Sequence, residues 1–539
     1  MYSNKKNVNI LTSLLVAYGI RNIVVCPGSR NAPLAHNFNE TFAINCYPIT
    51  DERSAGFYAL GMARSLNKPV AVCVTSGSAV VNLMPAVVEA FYQHIPLVVI
   101  TADRPAQWID QLDGQTLPQQ NIFGRFVKKS VSLPEPHDEE EEWYCSRLIN
   151  EALNIENAPV HINVPISEPL FEFANEKLPD VQMVKRGMAE DIKEIAEVQR
   201  PMLVIGSACL SISQQIIVEL EKHLVVLYEP LAFQGITKTL HFDEILYKIE
   251  NAPAYQPDLV IYMGGTIVSK RLRQFLRKSP CKVVRVGQDE QMYDTFYRLT
   301  YQFVCSEQIF LNDLLSLEKT AWCKGYWERW QVQLQQAQHH ADIYQPDYSQ
   351  MAIVKSFEQQ LQGKENISVH YANSTAIRLA NIYANHYVAC NRGVNGIEGS
   401  LSTAAGDSLT TEEKVFCVIG DLSFFYDQNA LWNQNLRDNF RILLMNNCKG
   451  GIFHMLKGLE QSPARDYLIA ADHQTSAEGI CRQHDVIYQK AENMEQVQQG
   501  VYWLIHEESQ RPMLLEVCTD VAEDERVFKD YYAQFKKNK

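Results

Sequence analysis

The chain has no CxxC pair, no HExxH pattern and no GxGxxG fingerprint. The first two absences argue against a zinc site, and the third against a dinucleotide-binding fold. Its cysteines are scattered singly, and Cys26, Cys73, Cys281 and Cys417 lie in or beside apolar strand-like runs, as buried free thiols do. That usage fits a reducing cytoplasm and not a disulfide scaffold. No apolar run approaches the roughly eighteen residues of a membrane span. Positive charge is also in deficit, with 49 Lys and Arg against 63 Asp and Glu and a net charge of −14. A nucleic-acid partner is therefore disfavoured. An acidic protein that handles acidic substrates must instead gather its arginines locally.

At 539 residues the chain is too long for one core, and about three domains are expected. Lys5-Lys6 followed by ILTSLLVAYGI has the outline of a short leader. Its apolar spacing fits an amphipathic first helix ending at Gly19, and no small-residue cleavage site follows.

The most informative stretch runs from Val415 to Phe453. An apolar run, Val415 to Ile419, stops at Gly420-Asp421, and a second, Ile442 to Met445, stops at Asn446-Asn447. A helix-length mixed segment separates them, which predicts strand, helix and parallel strand. Both strands then end on one sheet edge, where ligands of α/β folds bind. A carboxylate and a carboxamide oxygen side by side there suit a hard cation that keeps phosphate oxygens among its ligands. Gly420 would let backbone approach a diphosphate. An ordinary crossover, with Asp421 capping a helix and the Asn pair in a turn, fits the same spacing.

In the first third, NIVVCPGSR, AINCYPITDER, PVAVCVTSGSAVVN and PLVVITADRP are four strand–turn–helix units, the signature of a doubly wound sheet. Glu52 falls at a strand-to-helix junction, where a cap is the default reading. The acidic run Asp138 to Glu142 reads as the solvated start of a helix, and APVHINVPI closes the domain with a strand. In the middle third, PMLVIGSA, HLVVLYEP, PDLVIYMGG and CKVVRVG are buried strands of a Rossmann-like domain whose bare Gly264-Gly265 pair suggests a structural role. Lys270, Arg271 and Arg273 crowd the start of the helix that follows, where cations oppose the dipole. Residues near 318–349 read as a helical linker, and the region after His454 to Asp472 as a covering segment. The domains expected are 1–180, 190–335 and 345–539.

Taken in order, CPGSR, DERSAGFYALGMAR, TSGSAVVNLMPAV, ADRP, SKR, GDLS, NN and GGIF resemble the menaquinone-pathway synthase branch of the thiamine-diphosphate enzymes. The resemblance covers most of the chain and is densest in the first and last thirds. It implies three α/β domains: pyrimidine-binding, central Rossmann-like and diphosphate-binding. It implies thiamine diphosphate with Mg²⁺ or Mn²⁺ as cofactors, and Glu52 as the catalytic carboxyl that hydrogen-bonds the cofactor's aminopyrimidine. Gly420, Asp421, Leu422, Ser423 and Asn447 would hold the diphosphate. Ile397 would support the bent cofactor, and Asp421, Asn447 and the Lys449 carbonyl would hold the metal. Substrate contacts fall on Ser29, Arg30, Arg104, Gln115, Lys270, Arg271, Ser374, Arg378 and Arg392. The implied reaction decarboxylates 2-oxoglutarate and adds the resulting carbanion to isochorismate, in an enzyme that is a homodimer or homotetramer.

Three positions depart from the pattern. Leu422 stands where the wider superfamily has Gly, Lys449 where the family has Gly, and Ser167 where it usually has Arg, so Ser167 receives no role. Two other readings share parts of this evidence in the sequence: a thiamine-diphosphate decarboxylase or carboligase for smaller keto acids, and a non-catalytic paralogue acting as a binding subunit.

Overall fold

Alternate residues of single strands pack into different cores, which is how a sheet covered on both faces must be built. In the strand Val70–Val74, Ala71 and Cys73 join one core with Leu11, Leu14 and Ile149. Val70, Val72 and Val74 join another with Ala59, Leu83 and Val87. The same alternation recurs in Lys414–Gly420, where Phe416 and Val418 face one core and Val415, Cys417 and Ile419 the other.

A computed structural model describes residues 1–209, 212–249, 252–318 and 321–537. The chain divides into two compact units, Met1–Gly187 with Gln291–Gln302, and Met188–Glu290 with Phe303–Lys539. The first unit holds a six-stranded parallel sheet. Its spatial order is Asn45–Pro48, Asn22–Val25, Val70–Val74, Leu97–Asp103, Val160–Pro165 and Lys129–Ser132. Strand order reverses between Asn22–Val25 and Val70–Val74, which opens a crevice at their carboxyl ends. Helix Lys6–Ala17 covers one face, and Gly19 leaves it in the left-handed region at φ +72°.

The second unit carries two parallel sheets. One runs Val225–Tyr228, Pro201–Ile205, Leu259–Met263 and Lys282–Gly287. The other runs Ile367–Tyr371, Lys414–Gly420, Phe440–Asn446, Met513–Cys518 and Ile487–Ala491. The Gly264-Gly265 pair serves packing: a Cβ at Gly206 would lie 2.0 Å from the Gly265 carbonyl oxygen, and one at Gly264 2.7 Å from that of Gly206. Two turns touch there. Among the described residues no helix is long and apolar enough to cross a membrane.

One strand was not anticipated and one local expectation needs correction. Lys129–Ser132 is an edge strand, although its short polar KSVS sequence lacks a strand signal. The segment between the Gly420 and Asn447 strands is not one helix; it is the six-residue helix Asp421–Tyr426, a 3₁₀ turn at Gln428–Leu431 and irregular chain.

Candidate active site

In the first unit the candidate residues sit at the carboxyl ends of the strands. Asp51 caps helix Glu52–Leu66 by accepting from the Ser54 N–H at 2.7 Å, so Glu52 becomes its first residue. The Glu52 carboxylate accepts from Asn82 Nδ2 at 3.3 Å. Arg30 is buried and donates to the Ile166 carbonyl at 2.9 Å and to Glu168 Oε1 at 3.2 Å. Arg104 donates to the Gly114 carbonyl at 3.0 Å, pairs with Asp113 at 3.2 Å, and reaches Glu168 Oε1 at 4.0 Å. Glu168 therefore bridges two of the predicted substrate arginines. Its own side chain is 71% exposed.

Behind them, Asp103 accepts from the Arg104 N–H and from Asn163, and its burial raises the carboxyl above its usual range. Gln119 anchors the loop of Gln115. Its amide donates to Ala102 and Asn163, and its oxygen accepts from the Gly77 N–H. Gln115 itself is left-handed at φ +56°, with its backbone against Gly77, where a Cβ would lie 3.1 Å away. Ser29 is exposed in the turn before Arg30.

In the second unit, register places Gly420 opposite Met445, so Asp421 and Asn447 emerge together. Asp421 is buried; Oδ1 accepts from the Leu422 N–H at 2.7 Å and Oδ2 from the Asn447 N–H at 3.1 Å. The Asn447 Nδ2 donates to Asp524 at 2.9 Å, and among the described residues no donor reaches its Oδ1. Asn446 is structural: it donates to Glu516 and the Thr475 carbonyl, and accepts from the Cys448 N–H. The turn is made possible by Cys448, left-handed at φ +62°, so Lys449 needs no such angle. The Lys449 ammonium lies 3.7 Å from Asp472.

A metal and a diphosphate fit this arrangement. The available donors are a carboxylate, a carboxamide oxygen and main-chain carbonyls, an all-oxygen set that suits Mg²⁺ or Mn²⁺. A Cβ at Gly420 would meet no atom within 4 Å, which leaves room for phosphate oxygens beside the backbone. Ser423 donates its hydroxyl to the Ile397 carbonyl, tying the segment after Asp421 to the loop predicted to support the cofactor. His473 Nε2 lies 3.4 Å from Asp421 Oδ2, a neighbour that no sequence spacing pointed to.

The cations of this unit that were predicted to meet substrate partly converge. Lys270, Arg271 and Arg378 line one cavity of about 620 Å³, with Ile452, Leu456 and Tyr532 on its walls. Ser269 caps helix Lys270–Lys278 by accepting from the Leu272 N–H at 3.0 Å. Arg271 pairs with Asp243 and lies between the rings of Tyr247 and Tyr532, at 5.0 and 4.5 Å from their centres. Burial acts to lower this guanidinium, yet Asp243 and Tyr532 hold it above its ordinary value. Burial pulls Arg378 below its ordinary value, against the opposing pull of Asp243. Arg378 makes no hydrogen bond or ion pair among the described residues.

Arg392 and Ser374 do not line that cavity. Arg392 donates to Asn373 Oδ1 at 2.9 Å, and burial lowers its guanidinium. Ser374 adopts φ +76°, a strained angle for a non-glycine residue and one that concentrates at functional sites.

Glu229 binds two walls of the cavity together. It accepts from the Val268 and Ser269 N–H groups at 2.7 and 2.8 Å, and from Asn381 Nδ2 at 3.1 Å. Burial pushes its carboxyl up to about 7, against those backbone donors. Sequence reasoning missed Glu229, Asp243, Glu168 and Asp524, each an ordinary acidic residue remote in sequence from its partner. Ile452 was within reach, because it lies in the GGIF motif.

Residues 6–124 match the family model described as thiamine pyrophosphate enzyme, N-terminal TPP binding domain. The chain is 43% identical to a protein of Bacteroides thetaiotaomicron named 2-succinyl-5-enolpyruvyl-6-hydroxy-3-cyclohexene-1-carboxylate synthase, over 99% of this chain and 100% of that protein. Proteins of the same name from Phocaeicola vulgatus and Flavobacterium johnsoniae are 42% and 34% identical, over 99% and 96% of this chain and 99% and 97% of theirs.

Proposed function

Since the chain belongs to the 2-succinyl-5-enolpyruvyl-6-hydroxy-3-cyclohexene-1-carboxylate synthase family, a branch of the thiamine-diphosphate enzymes, we propose that it decarboxylates 2-oxoglutarate and adds the resulting four-carbon unit to isochorismate. Full-length similarity to three synthases of that name carries this reading. The cationic cavity supports it, because both substrates are dicarboxylates and arginine forks pair with carboxylates in bidentate fashion.

When bound, thiamine diphosphate supplies the electron sink for carbanion chemistry. The chain's own residues do the rest. Glu52 holds a carboxyl at a helix start, where it can hydrogen-bond the cofactor's aminopyrimidine and manage its proton. Asp421, Asn447 and the Lys449 carbonyl would present oxygens to Mg²⁺ or Mn²⁺, and Gly420, Leu422 and Ser423 would line the diphosphate. Ile397 would support the bound cofactor. Arg30 and Arg104, with Ser29 and Gln115 beside them, orient one carboxylate; Lys270, Arg271 and Arg378 orient another, with Ser374 and Arg392 as further contacts. Ile452, Leu456 and Tyr532 give the cavity of Lys270, Arg271 and Arg378 an apolar wall, which lowers the local dielectric and strengthens charge pairs formed against it.

The three sheets support domains at 1–180, 190–335 and 345–539. Assembly is at least a homodimer, as the superfamily's shared architecture implies, and thirteen cysteines without a disulfide support a cytoplasmic setting. The test is loss of isochorismate absorbance with 2-oxoglutarate, Mg²⁺ and thiamine diphosphate present. Loss that requires both substrates supports the proposal; carbon dioxide release from pyruvate but not from 2-oxoglutarate overturns it.

A further inference from the structure

We propose that Asp524 is a positioning residue for the metal site, acting through Asn447; the inference rests on reading Asp421 and Asn447 as metal ligands. A carboxamide has two chemically different ends, and only its oxygen can ligate a cation. Asn447 must therefore be held with Oδ1 toward the metal and Nδ2 away from it. The Asp524 carboxylate is an obligate acceptor when ionised, and it takes the Asn447 Nδ2 at 2.9 Å. The flipped amide would set oxygen against oxygen.

Asp524 is itself fixed by two further donors. Thr519 Oγ1 donates to the same oxygen at 2.9 Å, and the Gln350 N–H, which heads helix Gln350–Leu361, donates to the other at 2.8 Å. The amide has little room on its other side, where a Cβ at Gly451 would lie 2.9 Å from Nδ2. The last helix of the chain, Val521–Lys537, thus reaches the metal site through its first turn. Partners that orient first-layer ligands in this way typically carry about 10–100-fold in metal affinity.

The test is Mn²⁺ titration of the full chain with thiamine diphosphate present, reading free Mn²⁺ by electron paramagnetic resonance. Asp524→Leu is expected to weaken binding by about 10–100-fold, and Asp524→Asn by less, since its carboxamide oxygen can still accept from Asn447. Asn447→Asp alone sets two carboxylates together and weakens binding. Combined with Asp524→Asn, it reverses the hydrogen bond and is expected to recover most of the affinity. A merely structural role for Asp524 would not produce that recovery. Should Asp524→Leu not fold, the Asn447→Asp/Asp524→Asn pair carries the test. Wild-type Mn²⁺ affinity in both Asp524 variants, with loss in Asp421→Asn, overturns the positioning role alone. Unchanged affinity in Asp421→Asn overturns the metal-site reading, and the positioning role with it.

Discussion

Glu229→Gln gives a direct measure of how the cavity of Lys270, Arg271 and Arg378 is held together. The wild-type carboxyl is raised from 4.5 to about 7, chiefly by burial. A group whose pKa is higher folded than unfolded stabilises the fold fully below the unfolded value and loses that contribution as pH rises through the folded one. Here the contribution is complete below about pH 4.5 and gone above about pH 7. At roughly 1.4 kcal/mol per pH unit, the span is worth about 3 kcal/mol. Glutamine does not titrate. It turns an NH₂ toward one of the two backbone N–H groups that Glu229 accepts, a constant cost of about 1–3 kcal/mol. The stability of wild type relative to the variant should therefore fall by about 3 kcal/mol between pH 4.5 and 7, then level off. For a cooperative unit of this size, that is only about 4 °C in thermal midpoint. Differential scanning calorimetry of both proteins at half-unit pH steps resolves it. Parallel profiles would refute the claim that Glu229 is buried at the cost described.

Glu52→Gln should lower turnover by about 10²–10⁴-fold while leaving thiamine diphosphate binding, followed by fluorescence quenching, within a few-fold of wild type. Arg271→Ala removes a charge-assisted contact worth about 1.5–3 kcal/mol and should raise the KM of one substrate by about 10–100-fold with a smaller change in kcat; Arg271→Lys keeps the charge but loses the stacking between Tyr247 and Tyr532, and should fall between. Gly451→Ala places a methyl 2.9 Å from the Asn447 amide and should weaken cation-dependent cofactor binding by about tenfold or more, on the scale of other ligand-orienting changes. Glu168→Gln frees Arg30 and Arg104 from a competing carboxylate and should lower the KM of a dicarboxylate substrate a few-fold; a rise would show that Glu168 orients the arginines instead of competing for them.

What could be read in the sequence follows from where the physics is local. Buried parallel strands are continuous apolar runs, so Val70–Val74, Leu97–Asp103 and Lys414–Gly420 were legible, as was the strand-to-helix junction at Glu52. Lys129–Ser132 was not, because an edge strand of four residues buries only Val131. The crossover after Asp421 misled, since helix-length spacing says nothing of whether the chain keeps to one helix. The predicted substrate cations came from resemblance, and spacing alone does not bring Lys270 and Arg378 to one cavity. Their anionic partners were invisible for a related reason. Asp243 lies 28 positions from Arg271, and Asp524 lies 77 from Asn447. Nothing local distinguishes either carboxylate from a solvated one.

Those partners also explain how an acidic protein can bind acidic substrates. A guanidinium is charged at any working pH, and burying one without a counterion is strongly unfavourable. Arg30, Arg104 and Arg271 are accordingly paired with carboxylates of the chain before any substrate arrives, in both units, whereas Arg378 has no such partner among the described residues. The two sets differ in how easily the internal anion can leave. Asp243 is only 22% exposed and also accepts from Ser269 and Tyr532, so it stays with Arg271 and leaves the outer guanidinium N–H groups for a ligand. Glu168 is 71% exposed and, among the described residues, is held only by the arginines it bridges, so moving into water costs it little. If Arg30 and Arg104 meet substrate as proposed, they exchange one carboxylate for another with little net change in charge or desolvation. The chain's net charge of −14 is then no obstacle, because the field a substrate meets is set by which carboxylate can step aside.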